Sequence, residues 1–322
     1  MPANSEQDFE IHRAAQLLRQ GELVAIPTET VYGLAADANN PVAINKIFAL
    51  KGRPANHPLI VHISGADQLT RWAVNIPDTA YRLAEQFWPG PLTLILNKRS
   101  DVPNEVTGGQ QSIGLRCPNN ALTLALLKQF NGGLAAPSAN RFGHISPTTA
   151  QHVRDEFGAQ APMILDGGAC EIGIESTIVD LTQTPSRILR PGQISFAQLQ
   201  PFLAGLQIGA KVSSPRVSGN MSAHYAPRTP LRCISREQMR VVALEKKTVV
   251  LCLDNVPHGL NGLALPNNPS AYAQQLYASL RLLDQQHAEL IILEQPPQNA
   301  EWLAITDRLQ RAIAGSGENS NL

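Results

Sequence analysis

The stretch AIPTETVYGLAADANNPVAINKIFALKGRPANHPLIVHI, residues 25–63, carries the signals that decide the fold class of this chain. It opens on a short apolar run that is typical of a buried strand. Residues 39–52 then predict a helix, because an Asn-Pro pair is a common helix start and Gly is a common helix end. The cations Lys51 and Arg53 stand at that end, and the apolar run 59–63 predicts a second strand. Strand, helix and strand in this order predict an α/β fold.

The same alternation continues on both sides of this stretch. Residues 8–20 predict an amphipathic helix that stops at Gly21. Further strands are predicted at 92–97, 112–116, 133–136, 163–168, 176–181 and 187–192, and further helices at 121–130 and 146–157. The last of these helices has Ser146 as its predicted N-cap. Together the patterns predict a mixed α/β domain over residues 1–208.

A change in composition separates this domain from the rest of the chain. Residues 209–228, GAKVSSPRVSGNMSAHYAPR, are rich in Ser, Pro and Gly and show no apolar period, so they predict a linker. Over 229–322, short apolar runs alternate with helical patterns, which predicts a smaller Rossmann-like α/β domain with a parallel sheet. Its predicted helices are 235–245, 270–286 and 299–314.

Composition excludes several classes of protein. The length of 322 residues suits about two domains. The 26 Lys and Arg residues balance the 26 Asp and Glu residues, so the net charge does not favour binding to nucleic acid or to a membrane surface. The four cysteines form no C-x-x-C pair, which argues against zinc-ribbon and thioredoxin-like chemistry. No apolar run reaches the ~18 residues that span a bilayer. We expect a soluble, cytoplasmic protein with no membrane partner.

The common catalytic and nucleotide-binding motifs are missing. The sequence contains neither the P-loop pattern G-x-x-x-x-G-K-[ST] nor a G-x-G-x-x-G that follows a predicted strand. The hydrolase elbow G-x-S-x-G and the zinc motif H-E-x-x-H are also absent. The Gly-Gly pairs are interpreted as turns. Any nucleotide site must therefore be built without these motifs.

Four cations stand instead at the ends of predicted elements: Lys51, Arg53, Arg116 and Arg190. Ligands bind at such edges in α/β sheets. Several converging cations can hold a polyphosphate through charge-assisted hydrogen bonds. The alternative is solvated surface charge, and we expect the first two side chains on an exposed helix end with little part in core packing.

Short polar runs follow several of the predicted strands. The loop 136–148 carries Ser138, Asn140 and Ser146, and Ser176 precedes a strand. Hydroxyls and amides in these places suit a small polar ligand such as an amino acid or a ribose, although each is also a common cap or turn residue. His62 lies inside an apolar strand, where a lone histidine is usually a core residue.

Seven motifs in this order identify a family. PTETVYGL, KGRP with HPLIVHI, WPGPLTLIL, GLRCP, APSAN with SPT, ESTIVDL and LRPG together resemble the threonylcarbamoyl-AMP synthase family of the YrdC/YwlC type. The linker motif SPRVSGNMSAHYAP and the trailing domain resemble its long, two-domain form. The resemblance implies a YrdC-like twisted mixed sheet in the first domain. Linkers of this length exceed the usual ~4–6 residues, so we also expect this one to act as a lid, with a flexible spacer as the alternative.

The resemblance implies a reaction and its partners. The family joins L-threonine, bicarbonate and ATP to give threonylcarbamoyl-AMP and diphosphate. The product feeds the threonylcarbamoyl modification of adenosine 37 in tRNA through a downstream transferase machinery. Mg²⁺ is implied as the companion of ATP, held by phosphates and water, with no protein metal site and no organic prosthetic group. Weak direct binding of tRNA is a further implied property.

Roles for individual residues follow from the same resemblance. Lys51 and Arg53 are the implied catalytic residues. The implied L-threonine pocket contains Thr30, His62, Arg116, Ala136 and Ser176. The implied ATP site contains Lys51, Arg53, His57, Ser112, Ser138, Asn140, Ser146, Arg190 and Tyr225. His57 departs from the family pattern, in which Asn often stands before the Pro-Leu pair.

Three other functions remain open at this point. The first is a carbamoyl-transfer module like that of hydrogenase-maturation proteins, although their acylphosphatase and zinc-finger parts are not seen here. The second is an RNA-binding module, against which the neutral charge argues. The third is a nucleotide-sensing module of the same fold without turnover. Turnover of ATP separates the enzyme from the last two.

Overall fold

A computed structural model describes residues 3–211, 213–219, 223–242 and 247–317. Within these ranges the chain forms two α/β units, each with its own sheet. The strands of the first unit are β1 (Val24–Ile26), β2 (Gly33–Asp37), β3 (Ile60–His62), β4 (Ala73–Val74), β5 (Leu92–Lys98), β6 (Ser112–Arg116), β7 (Leu134–Ala135), β8 (Met163–Ile164), β9 (Thr177–Asp180), β10 (Arg187–Arg190) and β11 (Gln207–Ile208). Its helices are α1 (Ala3–Arg19), α2 (Pro41–Lys51), α3 (Asp78–Phe87), α4 (Asn104–Thr107), α5 (Ala121–Phe130), α6 (Ala150–Phe157) and α7 (Phe196–Leu199).

The sheet of the first unit is mixed, as the sequence predicts. In the described ranges its order is β11-β10-β9-β5-β6-β3-β7-β2-β1-β8, with β4 paired beside β5. Strands β9 and β5, β6 and β3, and β1 and β8 are parallel, whereas β5 and β6 and β3, β7 and β2 are antiparallel neighbours. Strand β3 lies near the middle, so the residues that follow α2 are carried into the centre of the sheet.

The second unit has a parallel sheet, again as predicted. Its strands are β12 (Leu231–Ile234), β13 (Thr248–Leu253), β14 (Gly262–Leu265) and β15 (Leu290–Glu294), and its helices are α8 (Arg236–Val242), α9 (Pro269–Asp284) and α10 (Leu303–Gly315). The order is β12-β15-β13-β14, and all three strand pairs are parallel. The end of the predicted helix 235–245 lies outside the described residues.

The two units share buried apolar contacts. Val31, Ile145 and Ile174 of the first unit belong to the same apolar cluster as α9 and α10 of the second. Tyr225 of the linker belongs to that cluster too and is 1% exposed. The loops that carry the predicted polar runs therefore lie against the second unit. No helix in the described part of the chain is long and apolar enough to cross a membrane.

Helix α2 forms where its caps predict it. The Asn40 side chain accepts from the backbone N–H groups of Val42 and Ala43, and Gly52 takes the left-handed conformation with φ 62°. Other boundaries differ. Helix α1 begins at Ala3 rather than residue 8, and strands β2 and β14 and helix α3 are not predicted from the sequence. The two strands are short, so tertiary pairing rather than periodicity determines them. Helix α3 does have helical spacing, with Ala80, Leu83 and Ala84 buried on one face, and the prediction overlooked it.

The predicted N-cap at Ser146 is wrong. Helix α6 begins at Ala150, and the side chain of Thr149 accepts from the backbone N–H of His152. Ser146 is fully buried, and its Oγ donates to Glu175 Oε1 at 2.6 Å. A Ser-Pro pair is common both at helix starts and in turns, so the sequence alone does not distinguish the two at residues 146–147.

Candidate active site

A cavity lies where the ends of β1, β3 and β6 meet the linker. Its free volume is about 50 Å³, far below the ~300–1,000 Å³ of a typical ligand pocket. Eight residues with predicted roles line it: Thr30, Arg53, His62, Arg116, Ala136, Ser138, Arg190 and Tyr225. The linker residues Ser218, Gly219 and His224 also line it. The linker therefore occupies space that a nucleotide would need.

The remaining predicted residues lie beside or behind this cavity. His57 and Arg53 line an adjoining cavity of about 180 Å³, and Ser112 lines a third with Val217 and Ser218. His57 packs edge-on against Phe142, and burial lowers its pKa, helped by the charges of Arg53 and Arg216. The four others sit in the wall without lining the cavity: Lys51, Asn140, Ser146 and Ser176.

The loop after β1 is shaped by its own hydroxyl. Thr28 Oγ1 donates to the carbonyl of Val31 at 2.6 Å and accepts from the backbone N–H groups of Thr30 and Val31. Thr28 stabilises this turn because its short side chain brings a hydroxyl group within reach of the backbone two and three residues further on. It buries Thr30 completely and directs the loop toward the cavity.

Lys51 is buried, contrary to the expected exposed helix end. It is 3% exposed, and its Nζ donates to the carbonyls of Ser138 and Asn140. Burial lowers the pKa of Lys51 well below its usual value, and the nearby charge of Arg53 adds to this effect. Lys51 lies on the same face of α2 as the buried Ile44 and Ile47, so its side chain points inward.

Arg53 and Arg190 are held in a similar way. Arg53 is 8% exposed, and its Nη2 donates to the carbonyl of Pro58 at 2.9 Å and to Ser218 Oγ at 3.3 Å. Arg190 donates to the carbonyl and hydroxyl of Ser176 and to the carbonyl of Ser218, all within 3.0 Å. Burial lowers the pKa of Arg53 to about 10 and also lowers the pKa of Arg190.

These three cations share one property. In the described ranges, Lys51, Arg53 and Arg190 donate only to carbonyl and hydroxyl oxygens and form no ion pair with a carboxylate. A buried charge without a counter-ion costs several kcal/mol, which a bound anion would recover. An anion would also raise the pKa of Lys51 toward its usual value. The arrangement suits a polyphosphate.

Arg116 is held differently, by a carboxylate that the sequence did not single out. Its Nη2 lies 2.8 Å from Glu29 Oε1, and both side chains are almost fully buried. The Nε of Arg116 donates to the carbonyl of Gly90 at 3.3 Å. This pair leaves part of the guanidinium facing the cavity, where it can hold a carboxylate.

His62 lies on the cavity wall beside Arg116, so it is not only a core residue. Burial and the charge of Arg116 lower the pKa of His62 to about 3, so the imidazole is neutral at physiological pH. Its Nδ1 is buried and has no hydrogen-bond partner in the part of the chain that the structure describes. A neutral imidazole with a free ring nitrogen can donate or accept one hydrogen bond with a small polar ligand.

Glu175 is a second carboxylate that sequence reasoning missed, although it stands directly before the singled-out Ser176. It lines the cavity and accepts from Ser146 Oγ. Burial would raise the pKa of Glu175, but Arg308, Arg190 and the Ser146 hydrogen bond hold it at about 2. Glu175 is therefore ionised. Its neighbour Ser176 bonds Thr93 Oγ1 at 2.8 Å as well as Arg190.

Asn140 shapes the loop that carries Ser138. Its Nδ2 donates to the carbonyls of Arg141 and His144, each at 2.8 Å. Its own carbonyl accepts from Lys51, while its Oδ1 is buried without a hydrogen-bond partner among the described residues. Asn140 therefore holds the loop through its side-chain amide and contacts the lysine through its backbone carbonyl.

The linker is packed into the site rather than extended as a spacer. Residues 212 and 220–222 of it lie outside the described ranges. Tyr225 has φ 64°, which is unusual for a non-Gly residue, and its ring stacks on Tyr277 at 5.7 Å. Gly219 has φ 77°, and a Cβ there would lie 2.2 Å from the Tyr225 hydroxyl. Glycine is therefore required for this close approach.

Two groups in the linker have strongly shifted pKa values. Burial lowers the pKa of His224 to about 3, although Glu175 opposes this effect. Burial also raises the pKa of Tyr225 to about 12. The hydroxyl of Tyr225 has no hydrogen-bond partner within the described residues. Both groups are therefore neutral at physiological pH, and both face the cavity with unused hydrogen-bonding capacity.

Comparison with known proteins covers both units. The Sua5/yciO/yrdC family model, described as telomere recombination, matches residues 16–192. A model described as the C-terminal domain of threonylcarbamoyl-AMP synthase matches residues 194–314. The chain is 36% identical to the threonylcarbamoyl-AMP synthase of Pyrococcus abyssi over 321 residues, which cover 95% of this chain and 94% of that protein.

Two further comparisons agree with these. The threonylcarbamoyl-AMP synthase of Bacillus subtilis is 36% identical over 332 residues, covering 97% of this chain and 95% of its own length. The crystal structure of P. abyssi Sua5 complexed with L-threonine matches with a TM-score of 0.88 at 36% identity, covering 95% of this chain and 94% of that one. The similarity therefore includes the linker and the second unit as well as the cavity.

Proposed function

The chain belongs to the threonylcarbamoyl-AMP synthase family, and on that premise we propose that its cavity is where L-threonine, bicarbonate and ATP are joined. The products are threonylcarbamoyl-AMP and diphosphate. The observation that carries the proposal is the set of three buried cations that form no direct ion pair with a carboxylate in the described ranges. We assign the triphosphate to Arg53 and Arg190, which line the cavity, and to Lys51, whose charge acts on the phosphates from the cavity wall.

The threonine half of the site is assigned to the other side of the cavity. Arg116, held by Glu29, takes the carboxylate through charge-assisted hydrogen bonds. Thr30 and the neutral His62 face the rest of the amino acid. The family roles of Ala136 and Ser176 are kept as proposals: the first lines the cavity, and the second acts from the wall through Arg190.

The chemistry asks for positioning rather than for a protein nucleophile. The amine of threonine attacks CO₂ or bicarbonate and forms a carbamate. A carbamate oxygen then attacks the α-phosphorus of ATP, and diphosphate leaves. Such a displacement is catalysed chiefly by alignment and by neutralisation of charge at the phosphates. The cavity supplies both through its fixed guanidinium groups.

Mg²⁺ is proposed to enter with ATP. Both carboxylates at the site, Glu29 and Glu175, are already engaged by arginines. The described ranges contain no cluster of three His, Cys, Asp or Glu side chains that could hold a metal ion. We therefore propose that the ion is held by phosphates and water.

Release of diphosphate is expected to require both L-threonine and bicarbonate. The test incubates the full chain with ATP, bicarbonate and each amino acid and measures diphosphate and the acyl-adenylate. Serine should be a weaker substrate, because one methyl group in a pocket is worth ~1–3 kcal/mol. Equal release without any amino acid would overturn the proposed function. Binding of ATP without turnover would favour the sensing or RNA-binding alternatives.

The product is proposed to pass to a tRNA threonylcarbamoyl transferase machinery. The balanced charge of the chain argues against strong duplex binding, so we propose that any direct contact with tRNA is weak and local. A gel-shift titration at low salt tests this, and a tight, salt-resistant complex would contradict it.

Replacing Arg116 is expected to weaken threonine binding selectively. Arg116→Ala alone would leave Glu29 buried and unpaired, which costs stability, so the cleaner variant is Arg116→Ala/Glu29→Gln. Loss of a charge-assisted contact worth ~1.5–3 kcal/mol should raise the KM for threonine about 10- to 100-fold. The KM for ATP should change far less. An unchanged KM for threonine would remove Arg116 from the pocket.

A further inference from the structure

Arg308 of the second unit reaches the wall of the cavity. It lies on α10, is fully buried, and its Nε donates to Glu175 Oε2 at 2.8 Å. Its Nη2 donates to the carbonyls of Glu175 and Pro191, and its Nη1 donates to Asp307 Oδ2 at 2.6 Å. The second unit thus inserts a cation beside the site of the first.

The carboxylate that Arg308 holds belongs to the cavity. Glu175 lines it together with Arg190, and the charges of the two side chains act on each other. The rest of the Glu175 carboxylate is engaged by Ser146 Oγ and by the hydroxyl of Tyr277 at 3.1 Å. Within the described residues, no hydrogen bond or ion pair joins the Glu175 carboxylate to Arg190.

Without Arg308, Glu175 would need another cation. A buried carboxylate that loses its partner is strongly destabilised. Arg190 could take that role, because its N–H groups donate only to the neutral oxygens of Ser176 and Ser218. An arginine that pairs with a carboxylate binds a phosphate less well, because the two anions compete for the same N–H donors of the guanidinium group.

The contact also extends to the linker. The guanidinium of Arg308 lies 5.5 Å from the centre of the Tyr225 ring, within the range of a cation–π contact. The same arginine thus touches the residue that closes the cavity and neutralises a carboxylate in its wall.

We propose that Arg308 is a positioning residue of the active site: by pairing with Glu175, it keeps Arg190 available for the triphosphate. The C-terminal domain then has a definite task in nucleotide binding, besides covering the apolar face of the first unit. This inference rests on the proposed function, because it takes a triphosphate as the ligand of Arg190.

The decisive experiment compares Arg308→Met with Arg308→Met/Glu175→Gln in the full chain. The single variant should raise the KM for ATP about 10- to 100-fold, with the KM for threonine within about threefold. The double variant should return the KM for ATP to within about threefold of the wild type, because Gln still accepts from Ser146 but no longer attracts Arg190. A merely structural role predicts a lower melting temperature for the single variant, restored in the double variant, without a selective rise in the KM for ATP.

Matched controls separate charge from stability. Arg281→Met removes another cross-domain arginine, which pairs with Glu156 at 3.0 Å. It should lower the melting temperature while leaving the KM for ATP within about twofold. Calorimetric titration with ATP in the absence of threonine gives the same comparison without turnover.

The outcomes distinguish the two hypotheses. Failure of the wild type to release diphosphate would overturn the proposed function itself. An active wild type with an unchanged KM for ATP in Arg308→Met, or no rescue in the double variant, would overturn the role of Arg308. If Arg308→Met does not fold, Arg308→Gln with and without Glu175→Gln carries the test, because Gln also removes the charge that pairs with Glu175. Equal ATP affinities in that pair would overturn it as well.

Discussion

Replacing Arg53 by alanine is expected to lower kcat/KM for ATP at least about a hundredfold. The side chain is 8% exposed, donates only to neutral oxygens, and leaves its Nε without a partner in the described ranges. Two charge-assisted hydrogen bonds to a phosphate are worth ~1.5–3 kcal/mol each, and both would be lost. Arg53→Lys should retain part of the activity, because lysine keeps the positive charge but lacks the planar guanidinium group that can donate two parallel hydrogen bonds. Steady-state kinetics with ATP as the varied substrate measure the effect.

The control lies on the same helix. Lys46 is an exposed cation of α2 that pairs with Glu22 at 2.8 Å. Lys46→Ala should leave kcat/KM for ATP within about twofold, since exposed ion pairs contribute ~0–1 kcal/mol to stability. Wild-type kinetics in a folded Arg53→Ala protein would show that the phosphate assignment is wrong. Lys51→Ala is a poorer test, because it also leaves the carbonyls of Ser138 and Asn140 without their donor.

Replacing Tyr225 by alanine is expected to lower kcat about 10- to 100-fold, because the linker would no longer close on the site. The ring is 1% exposed and packs between His224, Tyr277 and Arg308. Closure keeps water from the carbamate and the adenylate, so loss of closure should also increase hydrolysis to AMP, which releases diphosphate without a matching amount of adenylate. The ratio of adenylate to released diphosphate measures this directly. An unchanged ratio would favour the spacer interpretation.

Tyr225→Phe separates packing from hydrogen bonding. The hydroxyl has no partner in the described residues, so Phe should keep the linker folded. A normal melting temperature with weaker ATP binding would support a nucleotide contact by the hydroxyl. Protection of the 213–227 segment from proteolysis by ATP should be seen in the wild type and Tyr225→Phe and be lost in Tyr225→Ala. A chain cut after Ile208 is less informative, because it would leave Glu175 without Arg308 and uncover Val31 and Ile145.

Several features of this protein follow from local sequence alone. Helix α2 is specified by Asn40 and Gly52, whose caps act over three or four residues and need no tertiary partner. The two α/β units and the parallel second sheet follow from apolar runs that alternate with helical patterns. Eight of the residues with predicted roles line one cavity, because the polar runs follow strands that end at the same edge.

The tertiary structure decides where charge is buried. Lys51 and Arg53 have the sequence context of solvated helix-end cations, and only the packing of the loop 138–140 and the linker removes them from water. Glu175 and Arg308 are 133 residues apart in the chain, and their pair exists only because α10 docks on the first unit. Local residue patterns cannot encode such contacts, because desolvation and ion pairing depend on everything that surrounds a group in space. The sequence by itself therefore determined the fold class and the family, while the docking of the two units decided which charges are free for a ligand.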